Sequence, residues 1–206
     1  MMSIMYIVNG HQTGNDMRVS RAQMEAHRGR IVESAARTFR ERGFDGGSVA
    51  DVMNDAGLTH GGFYGHFTSK EELEAEACVA ALSVGAARWS RLADEAPDSA
   101  LGKIVDAYVS ARHRDDPGTG CIFAALGGET ARASGGVRRA FTDGLRERLA
   151  TLTRVVKGRT EARRRQRAIA TLCGMVGAIV LARAVDDKAL STEILGVGRA
   201  AYRGDG

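Results

Sequence analysis

Residues 57–73, GLTHGGFYGHFTSKEEL, decide the fold of this chain. Thr59 and Ser69 are residue types that commonly cap helices, and two glutamates after Ser69 suit the positive end of a helix dipole. The stretch therefore predicts a short helix, HGGFYGHF, followed by a longer helix from Ser69. Each glycine in a helix costs up to about 1 kcal/mol relative to alanine. The short helix is thus intrinsically weak, and its small residues need an explanation.

Two more helices precede this stretch. Ser20 is a candidate N-cap for a helix that ends at Gly43, because its apolar residues recur at helical spacing. Ser48 is a candidate cap for a second helix, VADVMNDA, which Gly57 ends. Two short helices joined by a glycine-bearing turn, with a longer helix in front, form a helix-turn-helix. We expect its small core to consist of Val52, Ala56, Leu58, Phe63 and Phe67.

The rest of the sequence also predicts helices, over 69–93, 99–112, 121–132, 137–156, 161–184 and 191–202. Period-two apolar alternation is scarce, so the fold class is all-α. The apolar run 168–182 is about 15 residues long, shorter than the ~20 that a membrane span needs, and predicts a buried helix and no membrane partner. Residues 1–16 are expected to be a flexible extension, with translation starting at Met17.

Composition sets loose bounds on function. The net charge of +4 permits a polyanionic partner without requiring one. The three cysteines form no CxxC pair, which favours reduced thiols in a cytoplasm. The histidines are scattered, so the sequence predicts no metal site and no cofactor.

The helix-turn-helix region resembles the TetR/AcrR family of bacterial transcriptional regulators. The resemblance covers residues 28–80 and is weaker at 120–129 and 177–184. It is carried by Arg30-Ile31-Val32, Ala35-Ala36, Phe39, Arg42-Gly43-Phe44, Ser48-Val49, Val52, Ala56-Gly57-Leu58-Thr59, Phe63-Tyr64, His66-Phe67 and Ser69-Lys70-Glu71-Glu72-Leu73. It implies an N-terminal three-helix DNA-binding domain at 17–68 and a C-terminal helical domain for ligand binding and dimerisation at 69–206.

The resemblance also implies a function and partners. A cytoplasmic, nucleoid-associated homodimer would bind a near-palindromic operator and release it when a small-molecule effector enters the second domain. Regulation as a repressor is the expectation, with activation left open. The fourth helix, which links the two domains, is the expected hinge.

Specific DNA-binding roles follow from the matched positions. Thr59 and His60 would read bases, while Gly61 and Gly62 would let the backbone approach them closely. Four side chains match positions that hold phosphates, namely Ser48, Tyr64, His66 and Lys70. Arg18 and Arg21 are expected to reach DNA from the flexible arm. Residues 60–68 contain no Arg or Lys, so a shallow salt dependence is expected.

The second domain yields two candidate sites. An effector cavity could be lined by Trp89, Tyr108, Arg112, His113, Cys121, Phe123, Phe141 and Met175, although ordinary core is the simpler interpretation of each one alone. The last two helices could form the dimer interface through Leu172, Gly174, Gly177, Ala178, Ile179, Val180, Ile194 and Leu195. Packing within the chain is the alternative reading of this second set.

Two other classes of function remain open at this stage. A helical enzyme could use Cys121 with His113, although no orienting motif accompanies them. A non-specific DNA-binding protein would depend on the basic run that contains Arg163, Arg164 and Arg165. Cys121 could also sense oxidants or electrophiles, but a structural cysteine is the simpler interpretation.

Overall fold

A computed structural model describes residues 20–204, and this part of the chain is helical with short connections. No strand occurs within it, so the all-α prediction is confirmed. The helices are α1 (Arg21–Gly46), α2 (Val49–Asp55), a 3-10 helix (His60–Gly65), α3 (Lys70–Glu95), α4 (Ala100–Tyr108), α5 (Ala111–Asp115), α6 (Ile122–Thr130), α7 (Gly135–Val155), α8 (Glu161–Ala184) and α9 (Lys188–Tyr202). The predicted extension 1–16, Met17 and Arg18 lie outside the described residues.

The predicted caps at the N-terminal end are formed. Ser20 and Ser48 both complete capping boxes, and the Ser69 hydroxyl accepts from the backbone N–H of Glu72. The helix break expected at Gly43 is present as a left-handed residue, with φ of 80°, inside α1. After this break, α1 continues for one more turn and ends at Gly46.

The short helix differs from its prediction in type and length. It is a 3-10 helix of six residues that stops at Gly65. Thr59 begins it without a side-chain cap hydrogen bond in the described chain. Glycines weaken α-helical propagation, and 3-10 geometry is common in such short pieces.

The first hydrophobic core crosses the expected domain boundary at residue 68. Phe39, Met53, Phe63 and Phe67 form its centre. The same cluster continues into α3, α6 and α7 through Leu73, Leu82, Ile122, Leu126 and Val137. The helix-turn-helix is therefore built onto the first half of α3 and onto α6, and does not pack as a separate unit.

A second core surrounds α8 and fills the C-terminal half. Its fully buried members include Ile104, Leu152, Met175 and Ile179. By length and composition alone, α8 could cross a membrane, with a mean hydropathy of 1.5 over its most apolar window. The predicted buried helix is buried on one side only, and that side packs inside this core through Ala168, Thr171, Leu172, Met175, Ala178, Ile179 and Ala182.

Two helix starts in the C-terminal half differ from their predictions. The helix expected to reach Arg112 ends at Tyr108, and Ser110 caps the separate α5 by accepting from the N–H of His113. The last helix begins at Lys188, because the Asp187 carboxylate accepts from two backbone N–H groups there.

Candidate nucleic-acid interface

The 3-10 helix separates buried aromatic residues from an exposed small-residue face. Phe63 and Phe67 are 1% and 2% exposed, and their rings stack with centroids 5.6 Å apart. The opposite face is formed by Thr59, His60, Gly61, Gly62 and Tyr64, which are all exposed. The structure therefore brings the predicted base-reading residues together on one surface.

Nothing within the described chain requires glycine at positions 61 and 62. Neither residue has a positive φ, in contrast to Gly57, whose φ of 70° suits the turn before the helix. A Cβ at Gly61 would have no neighbour within 4 Å in residues 20–204, and one at Gly62 would reach only ordinary contacts near 3.8 Å. The two glycines weaken the helix, and packing among residues 20–204 does not account for them.

Tyr64 projects from the same face. Its side chain is 76% exposed, and its ring meets Phe63 edge-on at 5.1 Å. Its hydroxyl makes no hydrogen bond to the described residues, although phenol oxygens ordinarily donate one. It is thus free to donate to a phosphate oxygen.

The structure gives Ser48 and Lys70 other partners than the predicted phosphates. The Ser48 hydroxyl donates to the Asp51 carboxylate at 2.7 Å and accepts from the Asp51 N–H, so an acidic group stands beside it. The Lys70 ammonium donates to the Phe44 carbonyl and pairs with Glu74 at 3.7 Å. Lys70 therefore has internal partners that the sequence did not indicate, and its contact with a phosphate stays a prediction.

His66 lies at the edge of the exposed face. It is half-buried, with its ring 6.1 Å from that of His27. Burial, and then the neighbouring His27 and Arg28, lower the pKa of His66. A neutral imidazole can donate one hydrogen bond to a phosphate, but it adds no charge.

Arg28 fixes the far end of this segment, a role that the sequence pattern did not indicate. Its guanidinium donates to the His66 carbonyl and to the carboxylates of Glu72 and Glu76, and it lies 4.1 Å from the centre of the Phe67 ring. It thereby joins α1, the 3-10 helix and α3. Arg21, expected on a flexible arm, is the first residue of α1 and is exposed there.

The predicted effector-pocket residues divide between different surroundings. Trp89, Tyr108, His113 and Cys121 lie together, with Tyr108 edge-on to both Trp89 at 5.8 Å and His113 at 4.5 Å. Arg112 is exposed instead. Of the other three, Phe123 packs at 90° on Phe141 beside the first core, and Met175 is fully buried in the second core.

Two surface depressions are lined by other residues. One of about 350 Å³ is lined by Arg88, Arg91, Leu92, Glu95, Lys103 and Ala107, and one of about 140 Å³ lies beside Tyr202. Neither contains a predicted pocket residue. The cluster around Tyr108 is closed in this conformation.

His113 is committed to backbone groups. Its Nδ1 donates to the Tyr108 carbonyl at 2.7 Å, and its Nε2 accepts from the Cys121 backbone N–H at 2.8 Å. Burial lowers its pKa, which favours this neutral form. Both ring nitrogens are occupied, so His113 does not act on the Cys121 thiol in this geometry, which counts against the enzyme alternative. No group of potential metal ligands is found in residues 20–204.

The predicted dimer residues lie on two sides of the last two helices. Leu172, Ala178, Ile179 and Leu195 are buried in the chain's own core, which corrects their assignment to an exposed interface. Gly174 faces Tyr202, and Ile194 is half-buried against the second core. Val180 is 41% exposed, and a Cβ at Gly177 would meet nothing within 4 Å in the described chain. Packing within the chain, the alternative reading, therefore holds for these four buried residues, and an interface formed by the exposed ones stays a prediction.

Comparison with known proteins supports this description most strongly at the N-terminus. Residues 31–77 match the family model described as bacterial regulatory proteins, tetR family. The HTH-type transcriptional repressor KstR2 of Mycobacterium tuberculosis is 38% identical over 72 residues, 35% of this chain and 36% of that protein. The regulator TtgR of Pseudomonas putida is 37% identical over 57 residues, 28% of this chain and 27% of TtgR. The chain thus matches about a third of the length of these relatives.

Solved structures extend the likeness to most of the fold. The reduced form of Escherichia coli NemR superposes with a TM-score of 0.71 at 20% identity, over 86% of this chain and 95% of NemR. A TetR-family regulator from Agrobacterium tumefaciens gives 0.72 at 20% identity, over 87% and 98% of the two chains. At 20% identity, this structural similarity establishes that both halves of the chain share the fold of these proteins.

Proposed function

From an N-terminal domain that belongs to the TetR family of bacterial regulatory proteins, we infer that this chain is a ligand-responsive DNA-binding transcriptional regulator. The relative KstR2 is a repressor, which favours repression with release of the operator when a small molecule binds. The proposed site of action is the nucleoid in the bacterial cytoplasm. KstR2, TtgR and the Agrobacterium tumefaciens protein are all named as transcriptional regulators or repressors, which supports this proposal.

The observation that carries this proposal is the exposed glycine face of the 3-10 helix. Gly61 and Gly62 have neither a positive φ nor a crowded Cβ position in the described chain to account for them. A DNA major groove accounts for them, because small residues allow backbone and short side chains to reach base edges. Thr59 and His60 are then the base-reading side chains, and Tyr64 is the phosphate contact.

Dimerisation is proposed to use the exposed side of α8 and α9. Five large apolar residues, exposed by 41–64%, line these two helices: Ile169, Val180, Leu181, Leu190 and Val197. Gly177 and Gly196 have open space above them, which allows a second helix to approach closely. An exposed apolar surface of this kind marks an interaction site. A two-fold dimer would place two reading helices about 34 Å apart on successive major-groove turns of a near-palindromic site.

The proposed coupling between ligand and DNA follows the continuous first core. The first turns of α3 and the start of α6 both pack under the helix-turn-helix. A shift of either helix therefore moves the reading head. A two-state change of a few kcal/mol is sufficient to release an operator.

The test is selection of bound fragments from the source genome at physiological salt. Wild type should enrich a short near-palindrome, and Tyr64→Ala should not. Val84→Ala is the matched control, because Val84 on α3 is also 76% exposed and lies on a different element. Loss of enrichment in both variants, or in neither, would contradict the assigned role of Tyr64. Absence of any enriched sequence with the wild type would contradict the regulator function itself.

A further inference from the structure

Three arginine side chains, one buried and two half-buried, converge around Cys121 at the start of α6. Arg40 comes from α1, Arg148 from α7 and Arg183 from α8. Burial lowers the pKa of each, and Cys121 lies near all three. The cluster therefore collects positive charge from three separate helices.

Within residues 20–204, none of these three arginines forms a salt bridge with a carboxylate. They donate instead to backbone carbonyls: Arg40 to Gly118 at 2.8 Å, Arg148 to Gly85 at 2.6 Å and Arg183 to Arg114 at 3.0 Å. Burying a cation without a counter-charge is costly. Gly85 supports the arrangement, because a Cβ there would collide with the Arg148 guanidinium.

Two polar atoms in this cluster lack an oxygen or nitrogen partner among the described residues, and the Cys121 thiol lies beside one of them, the Tyr108 hydroxyl. They are the hydroxyl of Tyr108 and Nε of Arg148, whose side chains belong to residues only 6% and 5% exposed. Both are donors, and an unpaired buried donor is destabilising. One ligand group that accepts from both and carries negative charge would remove both defects and the charge imbalance.

The walls around these donors are aromatic. The Arg148 guanidinium lies 4.3 Å from the centre of the Trp89 ring, and Tyr108 meets Trp89 and His113 edge-on. His113 adds no donor, since both of its nitrogens are engaged. Two free donors match the two oxygens of one carboxylate, whereas a phosphate would leave acceptors unsatisfied.

We propose that this cluster binds an aromatic monocarboxylate, with one oxygen on the Arg148 guanidinium, the other on the Tyr108 hydroxyl and the ring among Trp89, Tyr108 and His113. This proposal rests on the proposed function, because it names the chemical class of the effector. Binding opens the closed cluster by displacing the 116–120 loop, which Arg40 holds through the Gly118 carbonyl. Arg40 belongs to α1, so the same movement reaches the DNA-binding half.

Trp89 makes the test direct, because it is the chain's one tryptophan. The full chain is titrated with benzoate while Trp89 fluorescence is followed, and benzamide serves as the neutral control of the same shape. Benzoate should give a saturable change and benzamide none. Tyr108→Phe should weaken benzoate binding about tenfold, the effect of losing one charge-assisted hydrogen bond.

Two further measurements separate binding from folding. Tyr108→Phe should not lower the thermal midpoint without ligand, since it removes a hydroxyl that has no oxygen or nitrogen partner in the described chain. Arg146→Gln, at an exposed arginine of α7 two residues before Arg148, should bind benzoate as wild type does.

A response to benzamide equal to that of benzoate, no saturable response to benzoate, or unchanged affinity in Tyr108→Phe would overturn the proposal. The titration contains no DNA. Its failure is therefore distinguishable from failure of the regulator function, which shows as the absence of an enriched operator.

Discussion

The Glu129 carboxylate on α6 accepts a hydrogen bond from the backbone N–H of Phe44, next to the break in α1, at 2.8 Å. The same carboxylate fills the space beside Gly43, where a Cβ would lie 2.7 Å from its oxygen. This contact joins the C-terminal half to the helix-turn-helix independently of α3. The expected hinge is the fourth predicted helix, which is α3 in the structure. The Glu129 contact is a second connection between the same two parts of the chain.

Replacing Glu129 tests that connection. Glu129→Leu leaves the Phe44 N–H without its acceptor and should lower the free energy of unfolding by about 1–3 kcal/mol. Glu129→Gln keeps an amide oxygen in place and should cost clearly less. Urea denaturation of both variants measures the difference. Equal losses would mean that the hydrogen bond does not stabilise the junction.

Charge on the exposed side of the last two helices should separate a dimer. Leu181→Glu and Val197→Glu place carboxylates at residues 57% and 64% exposed, so the fold should survive while the apolar contact between copies does not. Light scattering after gel filtration should show wild-type dimers and variant monomers at micromolar concentration. Val84→Glu, at a residue 76% exposed on α3, should remain dimeric. Dimers in all three variants would place the interface elsewhere.

Acid should destabilise the chain through His113. The neutral ring accepts from the Cys121 N–H, and protonation removes that acceptor. Burial lowers the pKa in the folded state, so below the ordinary value of about 6.5 the unfolded chain binds more protons than the folded chain. The contribution of neutral His113 to the free energy of unfolding is fully present above pH ~6.5. It declines as the pH falls towards the pKa of His113 in the folded state.

Thermal unfolding between pH 7.5 and 5.5 measures this effect. The wild-type midpoint should fall further across the range than that of His113→Asn, which has no group to protonate there. His60→Asn replaces an exposed histidine and should keep the wild-type pH dependence. Identical profiles for wild type and His113→Asn would rule out His113 as the source.

Local signals in the sequence were sufficient for much of the fold. The caps at Ser20, Ser48 and Ser69, the break at Gly43 and the buried pair Phe63 and Phe67 all follow from residue type and spacing. These features depend on neighbours within a turn or two. Helical periodicity therefore predicts them without tertiary information.

Contacts between distant helices could not be predicted in this way. Lys70 finds the Phe44 carbonyl, and Arg148 becomes buried against Trp89, although both look like surface cations in the sequence. The same limit applies to the predicted dimer residues, because periodicity does not show which side of α8 the core covers: Leu172 is buried, whereas Val180 is 41% exposed. Only the packing of α7 and α9 on α8 decides that.

The central claim is that Gly61 and Gly62 keep one face of the 3-10 helix free of bulky side chains, so that DNA can approach its backbone closely. Gly61→Ala tests this claim most directly. A methyl group there meets no atom within 4 Å in residues 20–204 and improves helix propensity, so the free energy of unfolding should stay the same or rise by up to about 1 kcal/mol. Affinity for the selected operator should nevertheless fall at least about tenfold, or about 1.4 kcal/mol.

Gly128→Ala is the matched control, since Gly128 on α6 is equally exposed and equally uncrowded within the described residues. It should leave operator affinity unchanged. Full operator affinity in Gly61→Ala, or an equal loss in Gly128→Ala, would contradict the account.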